Sequence, residues 1–447
     1  MTRRTHVTRA LVLAAGLSLV AACAPSDNSV LDEAAEGRYG NDGSNGVVTL
    51  RVAYYGDFGI RDLVTKYEKL TPGVKVEIVE SENNAHHTAL QDQLIANTGA
   101  PDIAAVDVDK IVSMREQSDK FVNLLSHGAD QYEDDYLDWK WAQSLSPDGS
   151  TQIGLGTDVG PMAMCYRRDL LKDAGLEYRR DKLSAMWGDS WEDFIEFGET
   201  YVDKTGKGFI DDALNIMNPT LGQQEVGFFT ADEKLAMDGG PKVAFDTALA
   251  AIEAGLSANL ASWTPEWDKG FDNGDFAVIA CPAWLTGQIR DKAPERAGDW
   301  DIADIPGRGG NWGGAFWTIP AQGEHIDEAY ALLTWLIAPE QQIEVFNTVG
   351  SLPSQPELYS NPAIVEKKDP YFNDAPTGAI FSESAKSISP QYIGRAAAEV
   401  RVDVENVLRA VQKGEIKPRD AWAEAVARAT ATAPVETTED DEAAATE

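Results

Sequence analysis

Between Val48 and Val106 the apolar residues change their spacing repeatedly, and this alternation narrows the fold more than any other feature of the chain. Val48, Leu50 and Val52 recur at every second position, as on one face of a strand. Ile60, Leu63, Val64 and Tyr67 follow helical spacing, and Thr71-Pro72-Gly73 turns the chain into Val74, Val76 and Ile78. Strand, helix, strand is the repeating unit of a parallel sheet with helices on its faces. A second helix carries Leu90, Leu94 and Ile95, and Gly99-Ala100-Pro101 leads into a strand from Ile103 to Val106. The first third of the chain therefore reads as one α/β lobe.

The pattern then starts again. A strand is expected from Met162 to Tyr166, a helix from Asp169 that Gly175 stops, and a helix with Trp191, Phe194 and Phe197 inward that Ser190 and Asp193 cap. Val243 to Ala254 reads as a helix and Phe276 to Ala280 as a strand. Asp327 to Ile337 reads as a helix, Pro339-Glu340 opens another, and the last helix is expected from Arg419 to Ala427. A chain of 447 residues exceeds what one hydrophobic core usually serves, so a second α/β lobe is the economical account.

Arg3, Arg4 and Arg9 precede an apolar run from Ala10 to Ala22, which is too short to span a bilayer as a helix and reads as a signal peptide over residues 1–22. Its ending, Val20-Ala21-Ala22-Cys23, resembles the lipobox of bacterial lipoproteins, which implies acylation of Cys23 and a membrane anchor. Thr2-Arg3-Arg4 leaves general and twin-arginine export both open. The stretch to Gly46 is rich in Ser, Asp, Asn and Gly and reads as a tether, so residues 23–46 form the anchor and spacer. Residues 430–447, with six acids and no base, read as a disordered tail.

Overall, 73 acids stand against 38 bases, a formal charge of -35 that repels phosphate backbones and anionic lipid; nucleic-acid binding is excluded. Beyond Cys23, only Cys165 and Cys281 remain, both in apolar runs that read as strands. A disulfide and two buried thiols are both compatible with an exported chain. His86-His87 reads as a surface pair at a helix start, with no third ligand at metal spacing; no metal and no cofactor are expected.

Several blocks carry a resemblance in their order: Gly99-Ala100-Pro101-Asp102-Ile103, the run from Cys165 to Leu176, Ser190-Trp191-Glu192-Asp193-Phe194, Phe271-Asp272-Asn273-Gly274-Asp275-Phe276-Ala277, and Gly350-Ser351-Leu352-Pro353. Over residues 47 to 429 the chain resembles the family 1 extracellular solute-binding proteins of ABC importers, within them the cello-oligosaccharide- and maltose-binding branches. The resemblance implies a type II periplasmic-binding-protein fold: two α/β lobes, each a mixed sheet flanked by helices. Crossings are expected near 157–160, 304–308 and 351–356. Lobe 1 would then be 47–157 plus 309–352, and lobe 2 158–308 plus 353–429. A monomer is implied that binds a mono- or oligosaccharide and docks on permease subunits at the outer face of the cell membrane.

A sugar presents hydroxyl rims and apolar faces, so its site needs hydrogen-bonding groups beside aromatic planes. Trp284, at a strand end in Cys281-Pro282-Ala283-Trp284, stands where the resemblance places a stacking aromatic; an ordinary core tryptophan is the alternative. Trp312 and Gly313 lie in a glycine-rich run that lets backbone approach a ligand, or that packs on a hinge. Asp57 and Phe58 occupy the loop after the first strand, where parallel sheets bind ligands, with Asp57 matching a sugar-contacting acid and Phe58 replacing a basic residue of the maltose branch.

Asp107 and Asp109 follow the strand of Ile103. The resemblance gives Asp109 a sugar-binding role, with Lys110 in place of an arginine; turn acids are the plain alternative. Asp158 is offset by about two places from the family's hinge acid. Gln223 and Gln224 offer donors and acceptors together, and Tyr392 and Arg395 resemble late aromatic and basic contacts. Two other readings stand beside sugar capture: a lipid-anchored glycoside hydrolase with two carboxylates, and the same fold holding a polyol or other small solute.

Overall fold

The computed structural model describes residues 46–188 and 190–433. The signal peptide, Cys23 and nearly all of the tether lie outside the described residues, as do residues 434–447 of the tail. The strands are β1 Val48–Tyr55, β2 Val74–Ser81, β3 Ile103–Asp107, β4 Gly154–Gly156, β5 Asp158–Val159, β6 Met162–Arg167, β7 Val278–Pro282, β8 Trp300–Ala303, β9 Ala315–Thr318 and β10 Leu352–Pro353.

Two larger sheets and a two-stranded one, β10-β5, organise the described residues. The first has the order β2-β1-β3-β9-β4, with β1 parallel to β2 and β3, and β9 antiparallel to β3 and β4. The second has the order β7-β6-β8, with β6 antiparallel to both neighbours. The chain passes between them more than once, and β5 pairs with β10, Val159 opposite Leu352, so two passing segments are hydrogen-bonded side by side.

Amphipathic spacing explains the first layer. The helix Arg61–Leu70 buries Leu63, Val64 and Tyr67 against Leu50, Val52 and Tyr54 of β1. Along β9 successive side chains take opposite faces: Trp317 joins that core, and Phe316 joins Leu90, Val106 and Ile111 on the other side. Both rings are buried, so neither lines an open groove. Around the second sheet, the helix Trp191–Thr205 packs Phe194, Phe197 and Tyr201 against Met164 and Tyr166. Ser190 caps it as expected, its Oγ accepting the backbone N–H of Asp193 at 3.1 Å.

Some expectations shift. The strand expected from Phe276 begins at Val278, because Phe276 packs with Phe271 and Trp300 in the core beside it. The last helix runs Pro418–Thr432, so residues 430–432 are helical rather than tail. Ala421, Ala425 and Ala429 form its buried stripe, and Thr432 donates to Asp403 at its end.

His86 and His87 are buried, not a surface pair. His86 Nε2 donates to the Ala105 carbonyl at 2.7 Å. His87 Nδ1 donates to the Asn83 carbonyl at 2.8 Å, and its Nε2 accepts the Asp107 N–H at 3.0 Å. Both rings pin the helix Asn83–Ala96 to β3, and an Nε2 that accepts an N–H must itself carry no proton. Desolvation, with only partial relief from these bonds, lowers both pKa values to about 4.

Cys165 on β6 and Cys281 on β7 form a disulfide that closes a separation of 116 residues. The antiparallel register places Cys165 opposite Ile279 and Cys281 opposite Ala163, a diagonal pair within the buried core. Replacing both cysteines by alanine is expected to destabilise the protein by about 2–5 kcal/mol, read from the denaturant midpoint. Identical midpoints would contradict a stabilising bridge.

The histidine pair yields a second expectation. Both folded pKa values lie below the unfolded value near 6.5, so their contribution is complete above that pH and declines as pH falls toward about 4. The expected slope is up to about 1.4 kcal/mol per pH unit for each ring. Imidazole NMR shifts should show both rings neutral at about pH 5.5. A transition near the ordinary histidine value would contradict this burial.

Candidate ligand site at the strand ends

In the first sheet the chain leaves β1 toward β2 on one side and returns to β3 on the other, so the β1 and β3 loops flank a crevice at their carboxyl ends. Tyr55 ends β1 and Asp107 ends β3. Asp107 Oδ2 accepts the Tyr55 hydroxyl at 3.0 Å and the Asn83 amide at 3.2 Å, while Oδ1 caps the next helix by accepting the Asp109 N–H at 2.9 Å. Desolvation, then the neighbouring Asp109 charge, raises the Asp107 pKa. Burial raises that of Tyr55 as well. The ends of β1 and β3 thus present a partly buried acid whose oxygens are already aligned by three donors.

The crossing segments meet beside it. Asp107 pairs with Ala315 across β3 and β9, and the Val108 N–H donates to the Gly314 carbonyl at 3.0 Å. Asp158 Oδ1 accepts the Ala315 N–H at 3.0 Å and the Thr157 hydroxyl at 2.6 Å. Its pKa is raised by desolvation, opposed by the charge of Lys140. Asn311 Oδ1 accepts the Gly160 N–H at 2.8 Å, and the Trp312 N–H donates to the Gly160 carbonyl at 2.8 Å. Asp107, Asp158, Gly313 and Trp312 therefore share one seam.

Lys140 lies under this seam, completely buried, its ammonium without a hydrogen-bond partner among the described residues. Its Nζ sits 3.8 Å from the centre of the Phe316 ring. Burial lowers its pKa to about 8, with Asp158 and Asp107 opposing that shift. Glycine is required above it: a Cβ on Gly156 would meet Lys140 Cε at 2.8 Å, and one on Gly314 would meet Nζ at 2.9 Å.

Trp284 comes to the seam from the end of β7. Its Nε1 donates to the Trp312 carbonyl at 2.9 Å, and the two rings meet edge to face at 6.2 Å. Gly313 has φ +98°, and a Cβ there would lie 2.9 Å from Trp284 Nε1, so glycine permits this approach. On its other side Trp284 lies near-parallel to Trp263, centres 6.0 Å apart.

The remaining predicted residues are placed as follows. Asp57 is exposed and accepts the Gly59 N–H at 2.8 Å, a local turn. Phe58 packs on Tyr54, Tyr55 and Trp317. Asp109 is held by the Arg401 guanidinium, which arrives from the helix Ala397–Gln412. Gln223 accepts Trp191 Nε1 at 2.9 Å and donates to the Pro306 carbonyl at 2.7 Å. Gln224 donates to the Thr220 carbonyl at 3.0 Å. The Tyr392 hydroxyl donates to Glu233 at 2.6 Å, and Arg395 is exposed with its backbone N–H on the same carboxylate. Gln224, Tyr392 and Arg395 take no part in the seam's hydrogen bonds, while Gln223 lies against Gly310, next to Asn311 of the seam. Lys140, Arg401, Asn83 and Asn311 are the groups that sequence reasoning did not single out.

Among the described residues no three histidine, cysteine or acidic side chains converge as a metal site, and no helix is long and apolar enough to cross a membrane. The profile of the bacterial extracellular solute-binding proteins matches residues 62–372. An arabinooligosaccharide-binding protein of Bacillus subtilis (strain 168) is 24% identical over 352 residues, covering 74% of this chain and 79% of that protein. Another from Halalkalibacterium halodurans is 22% identical over 348 residues, with 74% and 72% covered. Among solved structures, an extracellular solute-binding protein of family 1 superimposes with a TM-score of 0.76 at 36% identity, over 87% of this chain and 100% of that one. The galacto-N-biose-/lacto-N-biose I-binding protein of Bifidobacterium longum, in complex with lacto-N-biose, shares the fold at a TM-score of 0.71 and 17% identity, over 87% and 98%. With its two sheets, its two-lobe fold and this match over most of its length, the chain belongs to the bacterial extracellular solute-binding proteins, which act outside the cytoplasm as binders and not as enzymes.

Proposed function

We propose that the protein captures a neutral oligosaccharide between its lobes and presents it to the permease of an ABC importer, held at the membrane by acylated Cys23. In this reading lobe 1 is built on 47–157 plus 309–352 and lobe 2 on 158–308 plus 353–429, with closure at the segments that pass between them. The observation that supports this reading is the seam, where Asp107 and Asp158 bond within the Val106–Ala315 region and the Trp284 indole bonds to the Trp312 carbonyl of the same crossing segment. Carboxylates accept hydroxyls, and indole faces accept the apolar face of a sugar ring.

Asp107, Asp158, Trp284, Trp312 and Gly313 are the contacts this reading favours, with Asp57 and Phe58 at the rim. Asp109 acts through its pairing with Arg401. Gln223, Gln224, Tyr392 and Arg395 are committed to internal partners and act as supports of the lobe 2 wall. The charge of -35 disfavours an anionic ligand. Cello- and malto-oligosaccharides are candidates from the resemblance of the sequence blocks, and the names of two relatives support testing arabino-oligosaccharides beside them.

A thermal-shift screen with arabinotriose, cellotriose, maltotriose and glycerol is expected to raise the melting temperature with one of the trisaccharides and not with glycerol. A shift with glycerol alone would favour a polyol binder. Trp284→Ala is expected to weaken binding of that trisaccharide about tenfold in calorimetry while the protein still melts cooperatively. Unchanged affinity would remove Trp284 from the site. The bound sugar should be recovered intact, and cleavage would overturn capture in favour of hydrolysis.

A further inference from the structure

Trp263 is the one tryptophan among the exposed large apolar side chains of the described residues. Its residue is 59% exposed, an unusual position for so large an apolar group, which contributes most when removed from water. Its backbone has φ +67°, in the left-handed region that side-chain-bearing residues other than Asn and Asp seldom occupy. Such a conformation persists only where neighbouring structure holds it, and here both flanks are held.

On one side, the Asn215 amide donates to the Ser262 hydroxyl at 3.0 Å. On the other, the Thr264 hydroxyl donates to the Ala261 carbonyl at 2.8 Å and caps the helix Pro265–Asn273 by accepting the Trp267 N–H at 3.3 Å. The Trp263 ring rests on buried Trp267, centres 5.2 Å apart, and Trp267 is fixed in turn by donating to Asp211 at 2.8 Å. The exposed indole is therefore a positioned group on a strained backbone, the combination found at binding sites.

Its alignment says what it would bind. Trp284 and Trp263 lie with ring planes 21° apart and centres 6.0 Å apart. Near-parallel rings with centres at this distance are offset from one another, so Trp263 carries the indole surface outward past Trp284 and stays 59% exposed. Exposure increases outward, from half-buried Trp284, bonded to the seam through the Trp312 carbonyl, to open Trp263. A row of indoles leading away from a hydrogen-bonding floor suits a chain of sugar rings, each with an apolar face and hydroxyls that stay in water.

We infer that Trp263 forms an outer sugar subsite, one ring beyond Trp284, and that it makes the protein prefer longer oligosaccharides over disaccharides. The inference rests on the sugar-capture reading and adds chain-length selection to it.

The test is calorimetric titration of the wild-type protein, Trp263→Ala and Trp263→Phe with the arabino-, cello- and malto-oligosaccharide series from disaccharide to pentasaccharide. For the series that binds, wild-type affinity is expected to rise with length. Trp263→Ala should lose roughly three- to tenfold on the longest members and keep its disaccharide affinity, with Trp263→Phe intermediate. Equal loss at every length would overturn the subsite and make Trp263 a support for Trp284. No loss at any length would also overturn it. If the wild-type protein binds none of these sugars, sugar capture itself fails, and the outer subsite with it.

Discussion

The structure depends on what Asp158 does at the junction of the two sheets. One carboxylate oxygen takes both the Thr157 hydroxyl and the Ala315 N–H, tying a segment that leaves the first sheet to the strand that re-enters it. A desolvated carboxylate is costly unless it is hydrogen-bonded and has opposite charge nearby. Buried Lys140, beneath Gly156 and Gly314, supplies that charge to Asp158 and, more weakly, to Asp107. Charge compensation and glycine spacing together explain why polar groups can persist at the centre of the molecule.

From this junction the candidate site follows. The same backbone that Asp158 holds continues into Gly313 and Trp312, and the Trp312 carbonyl receives the Trp284 indole from the second sheet. Groups from the two sheets thus meet at one seam, the arrangement on which the proposed sugar capture rests. The Asp109–Arg401 pair and Ile393, which packs on the first sheet's core, bring the late part of the chain onto the same side.

Much of this was legible in residue spacing. Val48, Leu50 and Val52 announced β1, Thr71-Pro72-Gly73 announced the turn to β2, and Ser190 announced a helix start, because each depends on neighbours a few positions away. The place of Trp284 just beyond the end of β7 was legible from the apolar run before it. Lys140 was not, since a lysine between Trp139 and Trp141 reads as the solvent face of a helix until the crossing segments close over it. Arg401 lies 292 residues from Asp109, beyond any local pattern. The histidines misled because adjacent polar residues at a helix start are usually exposed; here carbonyls of Asn83 and Ala105 and the N–H of Asp107 satisfy them. The cysteine pairing required the β6–β7 register, and Gln223 looked available until Trp191 and the Pro306 carbonyl occupied it.

The central claim is that an uncleaved neutral saccharide lies at the seam between the lobes. A crystal structure of the protein grown with arabinotriose tests it most directly. Intact sugar is expected, with one ring against Trp284 and hydroxyls within hydrogen-bonding distance of Asp107 or Asp158. Sugar bound only elsewhere on the surface, with the seam closed to it, would contradict the account.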